Sequence, residues 1–357
     1  MDSHARYGFA GVSLTGLGAE GSDMQPLLLA AGLALLGIVI VDLLWTTLWV
    51  DGGSGPLSSR LTSWVWRGLR RASGDDSRIL SLAGPLIMGL SLAMWIGLLW
   101  LGWTLLFAGG SVALVSAHTG EPADWIGRFY YVAYTMFTNG NGDYTPTSGR
   151  WEIASSLTTA TGMAFVTLAV SYVLSVLGAV SQKRSFASDV TGVGERGEAF
   201  VRTSWSDDGD VSRGLELSLE SLSSQLSLLA QQHKSYPILH YYHSEQSADA
   251  SAVAVPILDE ALTLYRHGLP DDEKPDPMLL EDGRSSVGSY LETLETAFIE
   301  PAEEAPPPSD LDRLREDGIP TVSDGEFEGS LEELRERRRK LRGVLEADAW
   351  EWPPVDD

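Results

Sequence analysis

Residues 124–146 read DWIGRFYYVAYTMFTNGNGDYTP. The stretch is too short and too rich in glycine at its end to cross a membrane, yet it lies between two segments that are long and apolar enough to do so. Asp124 is a good N-cap residue, and the aromatic run after it predicts a short helix that ends at Thr138. Residues 139–143 then alternate glycine with asparagine, which tolerate positive φ, so that successive carbonyl groups can face the same way. Because a strip of carbonyls can replace the water around a cation, we interpret the stretch as a pore loop.

Three segments are predicted to span a membrane. Residues 26–50 are apolar apart from Asp42, residues 84–107 carry no charge, and residues 153–180 are uncharged and precede Lys183 and Arg184. Each exceeds the roughly 20 residues needed to cross a hydrocarbon core of about 30 Å. We therefore expect transmembrane helices at 26–50, 84–107 and 152–181, with the pore loop 124–146 between the second and the third.

The two halves of the chain differ in charge. Residues 1–181 hold 8 basic and 11 acidic residues, whereas residues 182–357 hold 17 basic and 38 acidic ones, so most of the net charge of −24 belongs to the second half. A chain this acidic would repel the phosphates of nucleic acid, and we expect no nucleic-acid partner. The sequence contains no cysteine, which excludes disulfides and thiolate metal sites.

The distribution of arginines predicts an orientation in the membrane. The linker 51–83 is rich in arginine, whereas the leader 1–25 and the pore-loop region contain one and two arginines. Since basic loops stay in the cytoplasm, we expect the N-terminus and the pore loop outside the cell and the C-terminal half inside, in a cell-membrane protein. The arginines of the linker are Arg60, Arg67, Arg70, Arg71 and Arg78.

The linker also contains an amphipathic pattern. Five apolar residues fall on one helical face, with the arginines mostly beside it, which predicts a helix lying in the inner membrane interface. A soluble linker helix is the alternative. The apolar residues are Leu57, Leu61, Trp64, Val65 and Leu69.

Asp42 is the only charged residue inside a predicted span, roughly 12 Å from its inner end by helical rise. An intramembrane carboxylate is a candidate functional group, either joining helices or responding to protons. The alternative is that Asp42 pairs with a hydroxyl group or with an arginine at the interface.

The second half is predicted to be mainly helical, with a cytoplasmic domain at 183–300. Its first helix carries leucines spaced by 4, 3, 4 and 3 residues, which could pair across subunits or form an intradomain core. Further helices are expected at 257–266 and 287–299. Residues 301–357 read as an acidic, proline-containing linker and a last helix that starts at Ser330 and presents its arginines as a solvated face. The spaced leucines are Leu215, Leu219, Leu222, Leu226 and Leu229.

Two other patterns carry little weight. Residues 192–197 match the G-x-G-x-x-G spacing but lack the preceding apolar strand that a dinucleotide site requires. His233, His240 and His243 lie in a stretch rich in tyrosine and leucine that is more typical of a packed helix than of a metal site. Because the second half shows neither a nucleophile paired with a base nor a metal cluster, we expect neither an enzyme nor a cofactor.

The pore-loop stretch resembles the potassium channel family. The matching residues are Thr138, Gly140, Gly142, Asp143 and Pro146, and the resemblance covers about residues 84–180. It implies an outer helix, a pore helix, a selectivity filter formed by 138–143 and an inner helix, repeated in a homotetramer. A further match is Gly162, near the position where many members have a hinge glycine, although such a glycine can also be a close-packing site.

The filter departs from the family at two positions. The family usually has Thr-Val-Gly-Tyr-Gly, whereas Asn139 replaces valine and Asn141 replaces tyrosine here. The tyrosine ring normally packs against pore-helix aromatics and fixes the filter's diameter. Asn141 is too small for this, and we expect its amide to bond to Tyr131 or Tyr134. Because of these two substitutions, selectivity for potassium over sodium stays a prediction that the sequence leaves open.

The sequence therefore predicts an all-α membrane protein with three transmembrane helices, a re-entrant pore helix and filter, and a cytoplasmic helical domain. We expect a tetrameric cation channel that conducts K⁺ passively and is gated through the cytoplasmic domain, whose ligand or protein partner is unknown. The alternatives are a weakly selective Na⁺/K⁺ channel and a non-conducting membrane sensor or scaffold that keeps the pore fold. No arginine-bearing span typical of a voltage sensor is apparent.

Overall fold

The computed structural model describes residues 24–50, 53–74, 76–205, 213–295 and 299–352, so residues 1–23 of the predicted leader lie outside the described residues. The protein is an all-α membrane protein, as predicted. Three helical stretches are long and apolar enough to cross a membrane: Pro26–Leu48, Ser77–Ala108 and Gly149–Val193.

The described residues of the membrane half form six helices and two short strands. The helices are α1 (Pro26–Leu48), α2 (Pro56–Ser73), α3 (Ser77–Leu80), α4 (Ala83–Ala108), α5 (Trp125–Met136) and α6 (Gly149–Val193). The strands are β1 (Leu114–Ser116) and β2 (Tyr144–Pro146).

Seven helices follow in the part of the second half that the structure describes. They are α7 (Gly197–Ser204), α8 (Arg213–Ser235), α9 (Ser251–Thr263), α10 (Pro277–Glu295), α11 (Leu311–Glu316), α12 (Asp324–Glu333) and α13 (Arg335–Ala347). Shorter helical turns occupy Pro237–Tyr241, Ser247–Asp249, Leu264–Gly268 and Asp271–Glu273.

Packing divides the chain into two compact units. The first comprises residues up to Ile40 together with Trp95–Thr167, and the second comprises Val41–Met94 together with the residues from Leu168 onward. The first unit therefore contains the pore loop. The second contains the helices of the C-terminal half and residues 168–193 of α6.

In the first unit, glycines bring α1 into close contact with α4. A Cβ atom on Gly32 would lie 2.7 Å from the backbone nitrogen of Leu106, and a Cβ on Gly102 would lie 2.8 Å from a side-chain carbon of Leu36. Small residues at these positions allow the two backbones to approach, as is common between membrane helices. The additional N-terminal helix is thus packed directly on the outer helix.

The two strands bracket the pore loop. β1 precedes the loop and β2 is formed by its last three residues, and they pair antiparallel with Leu114 opposite Pro146 and Ser116 opposite Tyr144. The backbone N–H of Ala123 also donates to the carbonyl of Leu114 at 2.9 Å. These bonds hold the beginning and the end of the loop together in the first unit.

Helix α6 extends beyond the predicted inner helix at 152–181 and runs without a break to Val193. The predicted end at the basic pair Lys183 and Arg184 is wrong because the following turns keep burying apolar side chains. Phe186 and Val190 lie in the core of the second unit. A helix therefore precedes the G-x-G-x-x-G spacing, where a dinucleotide site would need a strand.

The leucines of α8 form an intradomain core. All five are at most 3% exposed and belong to the apolar cluster of the second unit, in which α8 packs against α10. Of the two alternatives for this helix, the intradomain core is the one observed. The leucines of α8 are therefore not available for pairing with another subunit. The helix predicted at 257–266 begins earlier, at Ser251, and the one predicted at 287–299 is α10.

The prediction for the last helix is wrong in two respects. Ser330 is not an N-cap residue. Ser323 is the N-cap of α12, where its hydroxyl accepts the N–H of Glu326, and α13 begins at Arg335. The arginine run is also not a purely solvated face. Arg337 donates to Asp259 at 2.5 Å and the 6%-exposed Arg338 pairs with Glu260 at 3.3 Å, so α13 docks on α9 through ion pairs. Each pair contains one buried charge, Asp259 or Arg338, which makes the pair costly to break by removing the other partner.

Helix α2 packs on the protein through residues outside its predicted interfacial face. Its buried residues are Ser58, Thr62 and Trp66, while Trp64, which was assigned to the interfacial face, is 70% exposed. Polar groups at the start of α2 bond to the buried carboxylate of Asp42, and the placement of the helix in the membrane interface stays a prediction.

Asp42 is fully buried and caps α2. Its Oδ1 accepts the backbone N–H of Leu57 at 2.7 Å, and its Oδ2 accepts the hydroxyl of Ser58 at 2.6 Å. A Cβ on Gly55 would collide with the same carboxylate at 2.3 Å. Of the two alternatives for Asp42, pairing with a hydroxyl is therefore observed, and α1 supplies the N-cap of α2.

Candidate functional site

The pore helix starts where the sequence predicted and ends two residues early. The carboxylate of Asp124 accepts the N–H of Gly127 at 2.7 Å, which caps α5. At the other end, Thr138 N donates to the Thr135 carbonyl at 3.1 Å and Asn139 N donates to the Tyr134 carbonyl at 2.7 Å. This pair of bonds is a Schellman cap, which requires a left-handed residue at Thr138.

The backbone of the predicted filter alternates in handedness. φ is +60° at Thr138, +59° at Gly140 and +77° at Gly142, whereas Asn139 and Asn141 do not have positive φ. Alternation of this kind turns successive carbonyls to one side of the strand, the arrangement that can coordinate a cation. Positive φ at the β-branched Thr138 costs roughly 1–2 kcal/mol, which the helix cap helps to offset.

A chain of side-chain hydrogen bonds links the filter to the pore helix. Nδ2 of Asn139 donates to Oδ1 of Asn141 at 3.1 Å, and Nδ2 of Asn141 donates to the hydroxyl of Tyr130. The Tyr130 hydroxyl in turn donates to Oδ2 of Asp143 at 3.1 Å. The two asparagines that depart from the family pattern therefore help, together with Asp143, to attach the filter to α5.

Tyr130 replaces the expected partners of Asn141. The Tyr134 hydroxyl is occupied by the backbone of Tyr144, donating to its carbonyl at 3.2 Å and accepting its N–H at 3.3 Å. The Tyr131 hydroxyl bonds to Ser155 of α6. The expectation that Asn141 bonds to Tyr131 or Tyr134 is thus wrong, because both hydroxyls have other partners. No signal in a single sequence distinguished Tyr130 among these tyrosines.

Aromatic rings pack around the pore helix. Tyr134 lies edge-on to Tyr130 and Tyr131, with ring centroids 5.1 and 5.3 Å apart. Phe129 stacks on Trp100 of α4 at 4.2 Å, and Nε1 of Trp100 donates to the Phe129 carbonyl at 2.9 Å. These contacts fix α5 against the outer helix within the first unit.

Asp143 is turned towards the pore helix. Besides accepting from Tyr130, its backbone carbonyl accepts the N–H of Ala117 at 2.9 Å, and Nε2 of His118 lies 3.8 Å from its Oδ1. Its side chain is still 41% exposed. Asp143 thus joins the filter to the loops outside it and keeps a partly exposed negative charge.

Gly162 lies against the end of the pore helix. A Cβ on Gly162 would be 2.0 Å from the carbonyl oxygen of Met136, and one turn earlier Thr159 donates to the Thr135 carbonyl at 3.2 Å. Helix α6 is continuous through this position. The structure therefore provides the close-packing role that was one alternative for Gly162, and its role as a hinge stays a prediction.

One chain leaves the filter uncovered. The side chains or backbones of residues 138–142 are exposed, and apolar residues of α6 are exposed in the same unit. A single copy cannot enclose a pore with this arrangement. The exposed apolar residues of α6 in this unit include Leu157, Met163 and Val166.

In the second unit, residues 236–243 contact three membrane-proximal helices. Nζ of Lys183, in α6, donates to the carbonyls of Leu239 and Tyr242 at 3.2 and 3.1 Å. A Cβ on Gly84, at the start of α4, would lie 2.5 Å from the Tyr242 ring, and Trp66 of α2 meets the Tyr241 ring at 5.7 Å. We call residues 236–243 the coupling segment.

The three histidines are packed separately. Nδ1 of His233 bonds to the Leu229 carbonyl at 3.0 Å, and burial lowers the pKa of His233 to about 3 and that of His240 to about 4. His243 stacks on Trp350 and lies 3.3 Å from Asp348. Within the described part of the chain, no three His, Cys, Asp or Glu residues converge as metal ligands would.

Comparison with known proteins identifies the pore-loop unit. Residues 93–179 match the family model described as "Ion channel", which spans most of α4, the pore loop and most of α6. The chain is also 42% identical over 323 residues to the "Uncharacterized membrane protein YdjJ" of Bacillus subtilis (strain 168), covering 90% of this chain and 94% of that protein. This chain belongs to the pore-loop ion channel family.

The relationship reaches beyond the channel module. The similarity to the Bacillus membrane protein extends over nine tenths of the chain, whereas the ion channel model ends at residue 179. The helices of the second unit are therefore largely shared with that relative. No solved structure matches the chain.

Proposed function

We propose that the protein is a homotetrameric cation channel that conducts K⁺ passively across the cell membrane. The observation that supports this most strongly is the alternation of positive φ at Thr138, Gly140 and Gly142 at the C-terminal end of the pore helix. Four such strips would form rings of carbonyls. An ion would lose its water at the outer end, pass the rings and reach a cavity lined by residues 159–170.

Electrostatics favour a cation. The C-terminal end of α5 carries the partial negative charge of a helix dipole, and in a tetramer four such ends would point at the central cavity. Asp143 adds a partly exposed carboxylate at the outer end of each filter. Both charges would raise the local concentration of cations.

The network that starts at Asn139 supports selectivity for potassium. Hydrogen bonds through Asn141 and Tyr130 take over the bracing that a tyrosine ring gives in the family pattern. A filter held in this way keeps its diameter. The weakly selective Na⁺/K⁺ channel remains the second candidate, because hydrogen bonds from side-chain amides support the filter over a smaller area than a packed tyrosine ring.

Gating would pass through the coupling segment. In each chain, Lys183 attaches α6 to the carbonyls of Leu239 and Tyr242, so movement of the second unit's helices would pull on the inner helix. Cytoplasmic placement of these helices follows from the arginines of the linker 51–83. A ligand or protein that shifts this segment would bias the pore between closed and open states.

Reversal potentials under bi-ionic conditions test this proposal. The purified protein is reconstituted in planar bilayers with K⁺ on one side and Na⁺ on the other, and its mass is measured in detergent. A tetramer with a reversal potential near the K⁺ limit supports a potassium channel, and a value near zero supports the weakly selective channel. A protein with no current at any pH or voltage would be the non-conducting sensor or scaffold.

A further inference from the structure

Helix α2 presents a basic face opposite its buried one. Arg60, Trp64, Arg67 and Arg71 follow each other at helical spacings of four, three and four residues, so they form one stripe. All four are exposed. The buried residues Ser58, Thr62 and Trp66 lie on the other side of the helix. We call the stripe the arginine face.

The charges of the arginine face have no counter-ion among the residues that the structure describes. Arg60, Arg67 and Arg71 form no ion pair with any described residue, although the whole chain has a net charge of −24. Nε of Arg67 donates to the neutral Ser63 carbonyl at 3.0 Å, which leaves the charge of its guanidinium without an acidic partner among the described residues. In a strongly acidic protein, three neighbouring arginines without acidic partners indicate an external anionic surface.

The cap from Asp42 fixes α2 at the edge of the membrane. Asp42 lies six residues before the end of α1 at Leu48, or about 9 Å along the helix axis. The carboxylate of Asp42 accepts the N–H of Leu57 and the hydroxyl of Ser58. The first turn of α2 therefore lies at the same depth in the membrane as the turn of α1 that contains Asp42. Trp64 then lies one to two turns further on, an amphipathic ring of the kind that favours the headgroup region.

From these contacts we infer that the arginine face of α2 binds the headgroups of anionic phospholipids. The phosphates would pair with Arg60, Arg67 and Arg71, and Trp64 would insert at the boundary of the acyl chains. The same helix reaches the C-terminal half on its other side, where Trp66 contacts Tyr241 and Arg70 donates to the Glu346 carbonyl at 3.0 Å. Bound lipid would therefore steady the coupling segment as well as α2.

Lipid binding is tested on the full chain in a neutral detergent. Wild-type protein and the Arg60→Gln/Arg67→Gln/Arg71→Gln variant are incubated with phosphatidylglycerol or phosphatidylcholine, and bound lipid is counted by native mass spectrometry. We expect wild type to retain phosphatidylglycerol preferentially and the triple variant to bind it about a hundredfold more weakly, at about fivefold per arginine. A matched variant, Arg266→Gln/Arg335→Gln/Arg342→Gln, removes three exposed arginines elsewhere and should bind like wild type.

The location of the face is tested with a single label. Because the chain has no cysteine, Trp64→Cys gives a unique site for a fluorophore, and Met278→Cys gives an 80%-exposed control. In liposomes of phosphatidylglycerol and phosphatidylcholine, lipids with a quencher near the headgroup should quench the label at 64 and not the one at 278. Equal lipid binding by both triple variants, or no quenching at position 64, would overturn the inference. Neither measurement depends on conduction, so the proposed channel activity stands or fails separately.

Discussion

The hydroxyl of Tyr130 donates a hydrogen bond of 3.1 Å to Oδ2 of Asp143 while it accepts the amide of Asn141. One phenol thus joins the pore helix to the middle and to the outer end of the filter. Among the groups that surround residues 138–143, it is the one whose loss would free two filter side chains at once.

Tyr130→Phe should therefore weaken ion discrimination. Removing the hydroxyl deletes two hydrogen bonds, each worth about 1 kcal/mol, without changing the ring, so we expect the K⁺/Na⁺ permeability ratio to fall by about fivefold or more. Bi-ionic reversal potentials measure the ratio. Tyr144→Phe is the matched control, because the Tyr144 hydroxyl forms no hydrogen bond with the described residues; an equal loss in both variants would contradict the bracing role of Tyr130.

Gly162→Ala should disrupt the pore module. The added methyl group would lie 2.0 Å from the Met136 carbonyl, so α5 and α6 would have to separate, and we expect a lower melting temperature and loss of the tetramer. Gly178→Ala is the control in the same helix, since a Cβ there meets nothing within 4 Å. If Gly162→Ala instead leaves the melting temperature unchanged and alters only open probability, the hinge role would be favoured over packing.

Lys183→Met should loosen the connection between α6 and the coupling segment. The substitution keeps an unbranched side chain that is one atom shorter but leaves the Leu239 and Tyr242 carbonyls without their donor, a loss of about 1–3 kcal/mol per buried group. We expect a lower melting temperature and altered open probability with an unchanged permeability ratio. The neighbouring exposed residue provides the control, Arg184→Met, which should behave like wild type; a changed permeability ratio in Lys183→Met would argue against a pure gating role.

Glu260 should make stability depend on pH. Its pKa is raised to about 7, chiefly by burial, which outweighs the opposing effect of Arg338 and is assisted by the nearby Glu198. Since the folded state holds the proton more tightly than the unfolded state, stability falls as pH rises from about 4.5 to about 7 and then levels off. In Glu260→Gln this fall should be reduced, which melting temperatures between pH 4.5 and 8 would measure. Parallel pH profiles for both proteins would contradict the assignment.

Much of the membrane half followed from the sequence. Three features depend only on residues that are close together in the sequence, so one sequence is enough to predict them. They are the uncharged runs long enough to cross a bilayer, the N-cap at Asp124 and the alternating glycines. The end of α6 did not follow, because charged residues such as Arg184 ended the apolar pattern while Phe186 and Val190 continued into a core built by distant helices.

Polar contacts across the fold were the least predictable. Which tyrosine meets Asn141 depends on the rotation of α5, which the packing of Phe129 on Trp100 determines. The sequence predicted a solvated Arg338 because its partner, Glu260, lies 78 residues earlier in the chain. Asp42 could be identified as a buried acid that needs a partner, but Ser58 was not identifiable as that partner from composition alone.

The most direct test of conduction through residues 138–142 is thallium influx into liposomes that contain the purified protein. Wild type should admit thallium, and Gly140→Ala/Gly142→Ala should abolish influx, because φ values of +59° and +77° are strained for alanine and the carbonyls would turn away. The double variant must keep the same mass in detergent as wild type. Influx that persists in the double variant, or wild-type liposomes that admit no thallium at any pH or voltage, would contradict the account.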